Sequence, residues 1–396
     1  ILAEPEKLTA IRGLSAKNRQ LFLDTLRINY GTEMILAKLA EYGIPNKLAF
    51  QIQDTYKEKT LSIIEENPYQ LVEDIQGMGF IIADKIAENL GIDSHSPQRF
   101  RAGLLYSLLQ QSLETGDTYV EARDLLEASL NVLEQARQVE LDPAAVAQEL
   151  TGLIAEGKLQ QVGTKIFDNS LYFAEEGIKK SLTRLLEKNS LQTFERKEIE
   201  AAITYLEKES GIHYDSIQKE AIIQAINNPL FILTGGPGTG KTTVINGIIA
   251  VYALLHKLNL TKSTGEVPIL LAAPTGRAAR RMNELTGLPS ATIHRHLGLT
   301  EDQGESYRED YLDADFIIVD EFSMVDTWLA NQLFQNISSN SQVLIVGDAE
   351  QLPSVSPGQV LADLLKIPAL PSLTLEKIYR QAEDSTIVHL ANHIRQ

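Results

Sequence analysis

The stretch "FILTGGPGTGKTTV", Phe231 to Val244, narrows the choice of folds more than any other part of the chain. An apolar run ends in glycine, and Gly235, Gly236, Pro237, Gly238, Thr239, Gly240, Lys241 and Thr242 match G-x-x-x-x-G-K-[ST] at every position. The pattern demands a strand, a tight turn and then a helix, which "TVINGIIAVYALL" supplies. Glycine lets the backbone take positive φ and close on phosphate oxygens. The turn's amides and the helix N-terminus that follows bind anions. On this reading Lys241 reaches the β- and γ-phosphates, Thr242 ligates Mg²⁺ and Thr243 lies beside it, so ATP and Mg²⁺ are the expected ligands. The alternative is a glycine-rich turn without a ligand.

Further short apolar runs occur in "VPILLAAPT", "DFIIVDE", "QVLIVGD" and "SLTLEKI", alternating with helical stretches from about Gly211 onward. Such runs suit strands buried on both faces of a parallel sheet. The expected class is therefore α/β, a doubly wound P-loop domain. In these sheets ligands gather at the C-terminal ends of the strands. Two runs end there in acid. Asp320 suits Mg²⁺ and Glu321 suits water activation. Asp348 and Gln351 follow the next run, where a Gln can touch both the γ-phosphate and the attacking water. Gln218, in "HYDSIQKEAI", can pair with an adenine edge, although Gln on a helix is more often solvated. Tyr379 and Arg380, in "EKIYRQ", can stack on the base and reach the γ-phosphate.

The remainder of the chain has a different texture. At 396 residues, two to four domains are expected. Up to about Ile92 short helices are punctuated by glycine; then come longer helical periodicity and a hairpin-like alternation in "KLQQVGTKIFDNSLYFAEE". A helix followed by such a hairpin suits a winged-helix-like element. In "LVEDIQGMGFIIADKIAENLGI", Gly77-Met78-Gly79 turns sharply between two amphipathic helices. The amides opening the second helix can take a DNA phosphate, with Gly77 and Gly79 at the contact. A hairpin used only for packing is the other reading. Arg99 and Arg101 are candidates for further phosphate contacts, or plain surface residues.

Composition excludes some classes. There is no Cys, so disulfides, thiolate zinc sites and Cys-ligated iron–sulfur clusters are ruled out. That fits a reducing cytoplasm, the expected location. No apolar run approaches the ~18 residues of a membrane span. The first residues lack both a signal peptide's basic start and an initiator Met, as a piece of a longer chain would. The net charge of -17 weighs against a nucleic-acid partner unless basic groups and amides are gathered in one groove.

Taken in order, "GGPGTGKTT", "APTGRAARRM", "TIHRHLG", "VDEFSMVD", "VGDAEQLPSVSPG" and "YRQ" resemble motifs I, Ia, Ib, II, III and IV of superfamily 1 helicases, and most closely the RecD-like branch, superfamily 1B. "EENPYQLVEDIQGMGFIIADKIAENLGI" resembles the N-terminal extension of long-form, stand-alone RecD proteins. The resemblance implies a RecA-like motor that couples ATP hydrolysis to 5′→3′ movement on single-stranded DNA, in repair or recombination. It places Lys241, Glu321, Gln351 and Arg380 in catalysis, Thr242 and Asp320 on Mg²⁺, and Gln218 and Tyr379 on the base. Pro274, Thr275, Gly276, Arg277, Thr292 and His294 fall where the family contacts DNA. By themselves His294 and His296 read as isolated structural histidines.

The implied layout is a helix-hairpin-helix region over 1–95, a helical, winged-helix-like domain over 96–178 and connecting helices over 179–210. The first RecA-like motor domain follows over 211–372, with a short insertion near 298–314, and the second begins over 373–396. The expected partners are single-stranded DNA, DNA junctions and recombination or repair proteins, with no membrane, and a monomer is expected. With motifs V and VI beyond its end, the chain alone is expected to hydrolyse ATP poorly. The reading from another class is a DNA-binding scaffold whose nucleotide loop serves only as a switch.

Overall fold

The computed structural model describes residues 15–75, 77–187, 191–260, 268–299, 312, 314–351 and 353–377. Tyr379, Arg380 and most of the insertion expected near 298–314 lie outside them. The chain divides into two units, Ile1–Ser112 with Tyr119–Asp168, and Leu113–Thr118 with Asn169–Gln396.

In the first unit α1 (Ala16–Glu41), α2 (Asn46–Tyr56), α3 (Thr60–Glu66), α4 (Gln70–Asp74) and α5 (Phe80–Asn89) surround Leu39, Ile52, Ile64, Leu71 and Ile86. α5 starts directly after Gly77, at φ 86°, and Gly79. Then follow α6 (Pro97–Thr115), β1 (Val120–Glu121), α7 (Ala122–Arg137), α8 (Pro143–Ala155), β2 (Leu159–Val162) and β3 (Lys165–Asp168). The three strands form an antiparallel sheet in the order β1-β3-β2. Helix, strand, two helices and a hairpin are the elements of a winged helix. α8 starts where it does because the Asp142 side chain accepts from the Ala144 N–H and Pro143 opens the first turn.

Arg99 and Arg101 are taken up inside this unit instead of standing ready for phosphate. Arg99 is fully buried, and its Nε and Nη2 donate to Asp84 of α5 at 2.9 and 3.0 Å. Arg137, at the end of α7, donates to the same carboxylate at 2.9 Å, and so does the Tyr69 hydroxyl at 2.6 Å. Arg101 is held by Glu149 at 2.6 Å and by both oxygens of Glu156 at 2.9 Å. The Asp84 knot ties the helix after the glycine hairpin to α6 and α7. Most of the two domains expected over 1–95 and 96–178 falls in this one unit.

Besides Leu113–Thr118, the second unit runs from Asn169, ahead of the expected limit at 178. It contains α9 (Asn169–Glu187), α10 (Arg196–Ser210), α11 (Ser216–Asn227), β4 (Leu230–Gly235), α12 (Lys241–Leu255), β5 (Ile269–Ala273), α13 (Gly276–Thr286), β6 (Ser290–Thr292), α14 (Ile293–His296), β7 (Phe316–Val319), α15 (Thr327–Gln335), β8 (Gln342–Gly347), α16 (Val360–Leu364) and β9 (Ser372–Leu375). The six strands are parallel in the order β6-β5-β7-β8-β4-β9. β9 pairs with β4, so this sheet runs on past the expected limit at 372.

Successive residues of each strand face opposite sides. Phe231, Leu233, Phe316, Ile318, Leu344 and Val346 join one core, with helices α10 to α13. Leu230, Ile232, Ile317, Val319, Val343 and Ile345 join the other, with α9, α15 and α16. Each such side chain contributes about 1.5–3 kcal/mol on burial, which is why both faces must be covered. Among the described residues no helix is long and apolar enough to cross a membrane.

Candidate functional site

A parallel sheet brings all its strand C-termini to one edge, and the strand order fixes their sequence along it. From one end the edge presents Thr292 after β6, Pro274 after β5, Asp320 after β7, Asp348 after β8 and the phosphate loop after β4. Residues remote in sequence therefore meet because of topology, and the two carboxylate-bearing strands stand between the phosphate loop and the β5 and β6 ends.

The loop itself has the geometry its glycines allow. Gly238 and Gly240 sit at φ 81° and 87°. A side chain at Gly235 would meet Thr239 Oγ1 at 2.6 Å and the Leu375 carbonyl at 2.8 Å. Thr239 is buried and donates to the Gly236 carbonyl at 2.8 Å, which braces the turn. Lys241 Nζ donates to the carbonyl oxygens of Gly235 and Gly236, the latter at 2.9 Å. α12 opens after Gly240 with no side-chain cap, and a helix N-terminus following such a loop suits an anion. Thr242 and Thr243 follow in its first turn, half-buried, and Pro237 is exposed at the loop's tip.

Among the described residues Asp320 accepts one hydrogen bond, from the Glu321 N–H at 2.8 Å. Its own N–H donates to Ala272 of β5 at 3.0 Å, which ties the carboxylate to the neighbouring strand end. Burial pushes its pKa up to about 6; the neighbouring Glu321 adds to the rise, and Lys241 and Arg281 oppose it. A half-buried carboxylate short of donors is a hard-oxygen donor of the kind that suits Mg²⁺. Glu321 takes the left-handed conformation, φ 54° and ψ 36°, and starts a single 3-10 turn, Phe322–Met324. Non-glycine residues adopt that region at a cost, and such residues concentrate at functional sites.

After β8, Asp348 is buried and its Oδ1 accepts from the Glu350 N–H at 3.1 Å. The Gln351 N–H donates to the Asp348 carbonyl at 3.1 Å, which fixes the turn carrying the Gln351 side chain. Gln218 is buried on α11, where its Oε1 accepts from the Asp215 N–H and its own N–H donates to Asp215 in a capping box. Part of its amide is thus occupied in starting the helix, a role that sequence reasoning passed over although Asp215 and Gln218 have capping-box spacing.

At the β5 end, Thr275 caps α13 by accepting from the Ala278 N–H at 3.2 Å, and Gly276 and Arg277 are exposed. Thr292 caps the short α14 in the same way, with Arg295, and leaves His294 exposed. Arg280, Arg281 and Arg295 are exposed alongside, so the acidic chain presents a basic cluster here. His296 is different. Its Nε2 meets the Leu271 carbonyl at 2.9 Å, and burial lowers its pKa, the structural role its sequence context suggested. In the first unit, Gly79 precedes α5 with no side-chain cap on that helix. Arg281 stands out as a residue that sequence reasoning missed: it lay within the quoted "APTGRAARRM" but only the fold brings its charge near Asp320.

Comparison with known proteins agrees with this order of parts. The family model described as the ATP-dependent RecD2 DNA helicase HHH domain matches residues 28–119, and that of an AAA domain matches 218–357. The ATP-dependent RecD2 DNA helicase of Deinococcus radiodurans is 26% identical over 98% of this chain, which spans 53% of that protein. The RecBCD enzyme subunit RecD of Mycolicibacterium smegmatis is 38% identical over 38% of this chain and 30% of its own length. Among solved structures, the Pif1 helicase from Candida albicans overlaps 47% of this chain and 44% of its own at 24% identity and a TM-score of 0.34, too partial an overlap to carry weight. The chain thus spans about half, or less, of these curated relatives. With a match to the RecD2-type helix-hairpin-helix model ahead of a phosphate-loop match, and RecD2 and RecD proteins among its relatives, the chain is similar to RecD-like helicases.

Proposed function

We propose that the protein containing this chain is an ATP-driven DNA helicase or translocase, moving 5′→3′ on single-stranded DNA and acting in repair or recombination. The observation that carries the reading is the single sheet edge on which the phosphate loop, the Asp320–Glu321 pair, the Gln351 turn and the Arg277–His294 cluster stand in a row. ATP turnover and strand contact then share one rigid frame.

In this reading Lys241 leaves the Gly235 and Gly236 carbonyls for the β- and γ-phosphates, and the amides opening α12 hold the same oxygens. Thr242 and Asp320 would hold Mg²⁺, which when bound neutralises phosphate charge. Glu321 takes the proton of the attacking water, and Gln351 orients that water and senses the γ-phosphate. Gln218 uses its remaining amide capacity on adenine, with Tyr379 on the base and Arg380 on the γ-phosphate. Pro274, Thr275, Gly276, Arg277, Thr292 and His294 line the strand's path, and Gly77 and Gly79 give a second, sequence-independent phosphate contact. The reading takes the protein to be a monomer acting on single strands and junctions, with recombination or repair proteins as partners.

The test is ATP hydrolysis by the whole gene product with and without oligo-dT. Strong stimulation by DNA is expected, and Glu321→Gln should bind ATP normally while turnover falls by about a hundredfold or more. A rate indifferent to DNA would favour a nucleotide-switched DNA-binding scaffold instead. Unchanged turnover in Glu321→Gln would remove Glu321 from its role.

A further inference from the structure

The turn after Asp320 contains a polar group that none of these roles uses. Ser323 lies in the 3-10 turn Phe322–Met324, two residues beyond Glu321. Its Oγ is closed off from solvent and has no hydrogen-bond partner among the described residues. Buried hydroxyls without partners are uncommon, because each gives up its bonds to water for nothing.

Its neighbourhood gives this position meaning. The turn packs against the end of β8: a Cβ on Gly347 would lie 3.3 Å from the backbone nitrogens of both Phe322 and Ser323. Gly347 leads directly into Asp348 and the turn that carries Gln351. The Asp348 Oδ1 is already engaged by the Glu350 N–H at 3.1 Å. Ser323 thus stands between the strand end bearing Glu321 and the strand end bearing Gln351. A hydroxyl can accept from a side-chain amide and donate at the same time.

We propose that Ser323 is a further positioning residue for hydrolysis: its hydroxyl bonds the Gln351 side-chain amide when nucleotide fills the phosphate loop, and so locks Gln351 to the Glu321 turn. The inference rests on the ATP-hydrolysing reading of this edge. It gives a use to a buried hydroxyl that otherwise costs its bonds to water.

The experiment is a double-mutant cycle in the whole gene product, with Ser323→Ala, Gln351→Ala and the pair. It reads kcat and KM for ATP in the presence of oligo-dT, together with the melting temperature. Ser323→Ala should lower kcat by about tenfold, leave KM in place, and leave Tm unchanged or raised, since only an unpaired hydroxyl is removed. The double variant should be no slower than Gln351→Ala alone, because the two residues act as one unit. Three results would overturn the proposal: a Ser323→Ala rate within about twofold of wild type, losses that multiply in the double variant, or a fall in Tm that accounts for the lost rate. If the wild-type protein does not hydrolyse ATP, the reading beneath falls with it; an active wild type with an indifferent Ser323→Ala sinks this proposal alone.

Discussion

Asp84 in the first unit and Asp320 in the second show two opposite uses of one carboxyl group. Asp84 is 1% exposed and accepts from Tyr69, Arg99 and Arg137. Burial pushes its pKa up, but the hydrogen bonds of Arg99, Tyr69 and Arg137 outweigh that and hold it below the usual carboxylate range. Among the described residues Asp320 has a single donor, the N–H of the next residue, and its pKa rises to about 6. A carboxylate saturated with donors has nothing left for a ligand and can only hold helices together. One left short of donors, beside a phosphate loop, remains available to a cation.

The largest expected effect separates the two most sharply. Asp84→Asn strands two buried guanidinium groups without a counter-charge and should cost about 3–5 kcal/mol. Asp320→Asn should cost little stability and instead lower Mg²⁺-dependent turnover by at least about tenfold to a hundredfold. The chain's one tryptophan, Trp328, lies in the second unit, where its Nε1 donates to Ser170 at 3.0 Å. In urea, Asp84→Asn should shift the helical circular-dichroism transition to lower concentration and leave the Trp328 fluorescence midpoint in place. Equal midpoints for Asp84→Asn and wild type would mean that the knot holds nothing.

A smaller effect uses pH, and the two aspartates give slopes of opposite sign. The Asp320 pKa goes from 3.8 to about 6 on folding, so between those values the folded chain keeps a proton that the unfolded chain has released. Its contribution to stability is present below the lower value and is lost as pH rises through about 6. Asp84 has the depressed pKa, so its contribution is present above 3.8 and is lost as pH falls through the folded value. Mg²⁺ needs the ionised form of Asp320, so the apparent affinity for Mg²⁺ should weaken as pH falls through about 6, read from Mg²⁺ titrations of turnover at each pH. An apparent Mg²⁺ affinity that is the same at pH 6.5 and at about pH 5 would remove Asp320 from the metal site.

The two units also differ in how far they could be read from sequence. Motif and periodicity carry most of the second: five of its six strands are apolar runs, and the phosphate loop and the acidic strand ends follow them. β6 escapes because Ser290–Thr292 is three half-buried residues with no apolar run. Ser323 escapes because an unpartnered hydroxyl is a property of packing, and Arg281 because its relation to Asp320 arises only when β5 and β7 pair. In the first unit the glycine hairpin and the β2–β3 hairpin are local and legible. The Asp84 knot is not, since it joins residues 15 and 53 positions apart through side chains that look solvated in sequence. Periodicity records which side chains are apolar, and it is silent on which charges will be buried together.

The smallest expected effect sharpens the comparison within the first unit. Arg101 donates three hydrogen bonds against the four of Arg99, with 2.6 Å to Glu149 and a two-pronged contact at 2.9 Å to Glu156. It differs in solvent: Arg101 is 32% exposed and Glu156 50%, while Arg99 and Asp84 are at 0% and 1%. Water and salt screen the outer pair, and ordering its long side chains offsets much of what attraction remains. Arg101→Ala should therefore move the urea midpoint by only a small fraction of the Asp84→Asn shift, and high salt should leave the wild-type midpoint almost unchanged. Its carboxylate partners also occupy the guanidinium that a phosphate would need, so Arg101→Ala should leave affinity for oligo-dT unaltered. If Arg101→Ala proves as costly as Asp84→Asn, bond count rather than burial decides what a charge is worth in this unit, and the contrast between Asp84 and Asp320 would have to be rebuilt on donors alone.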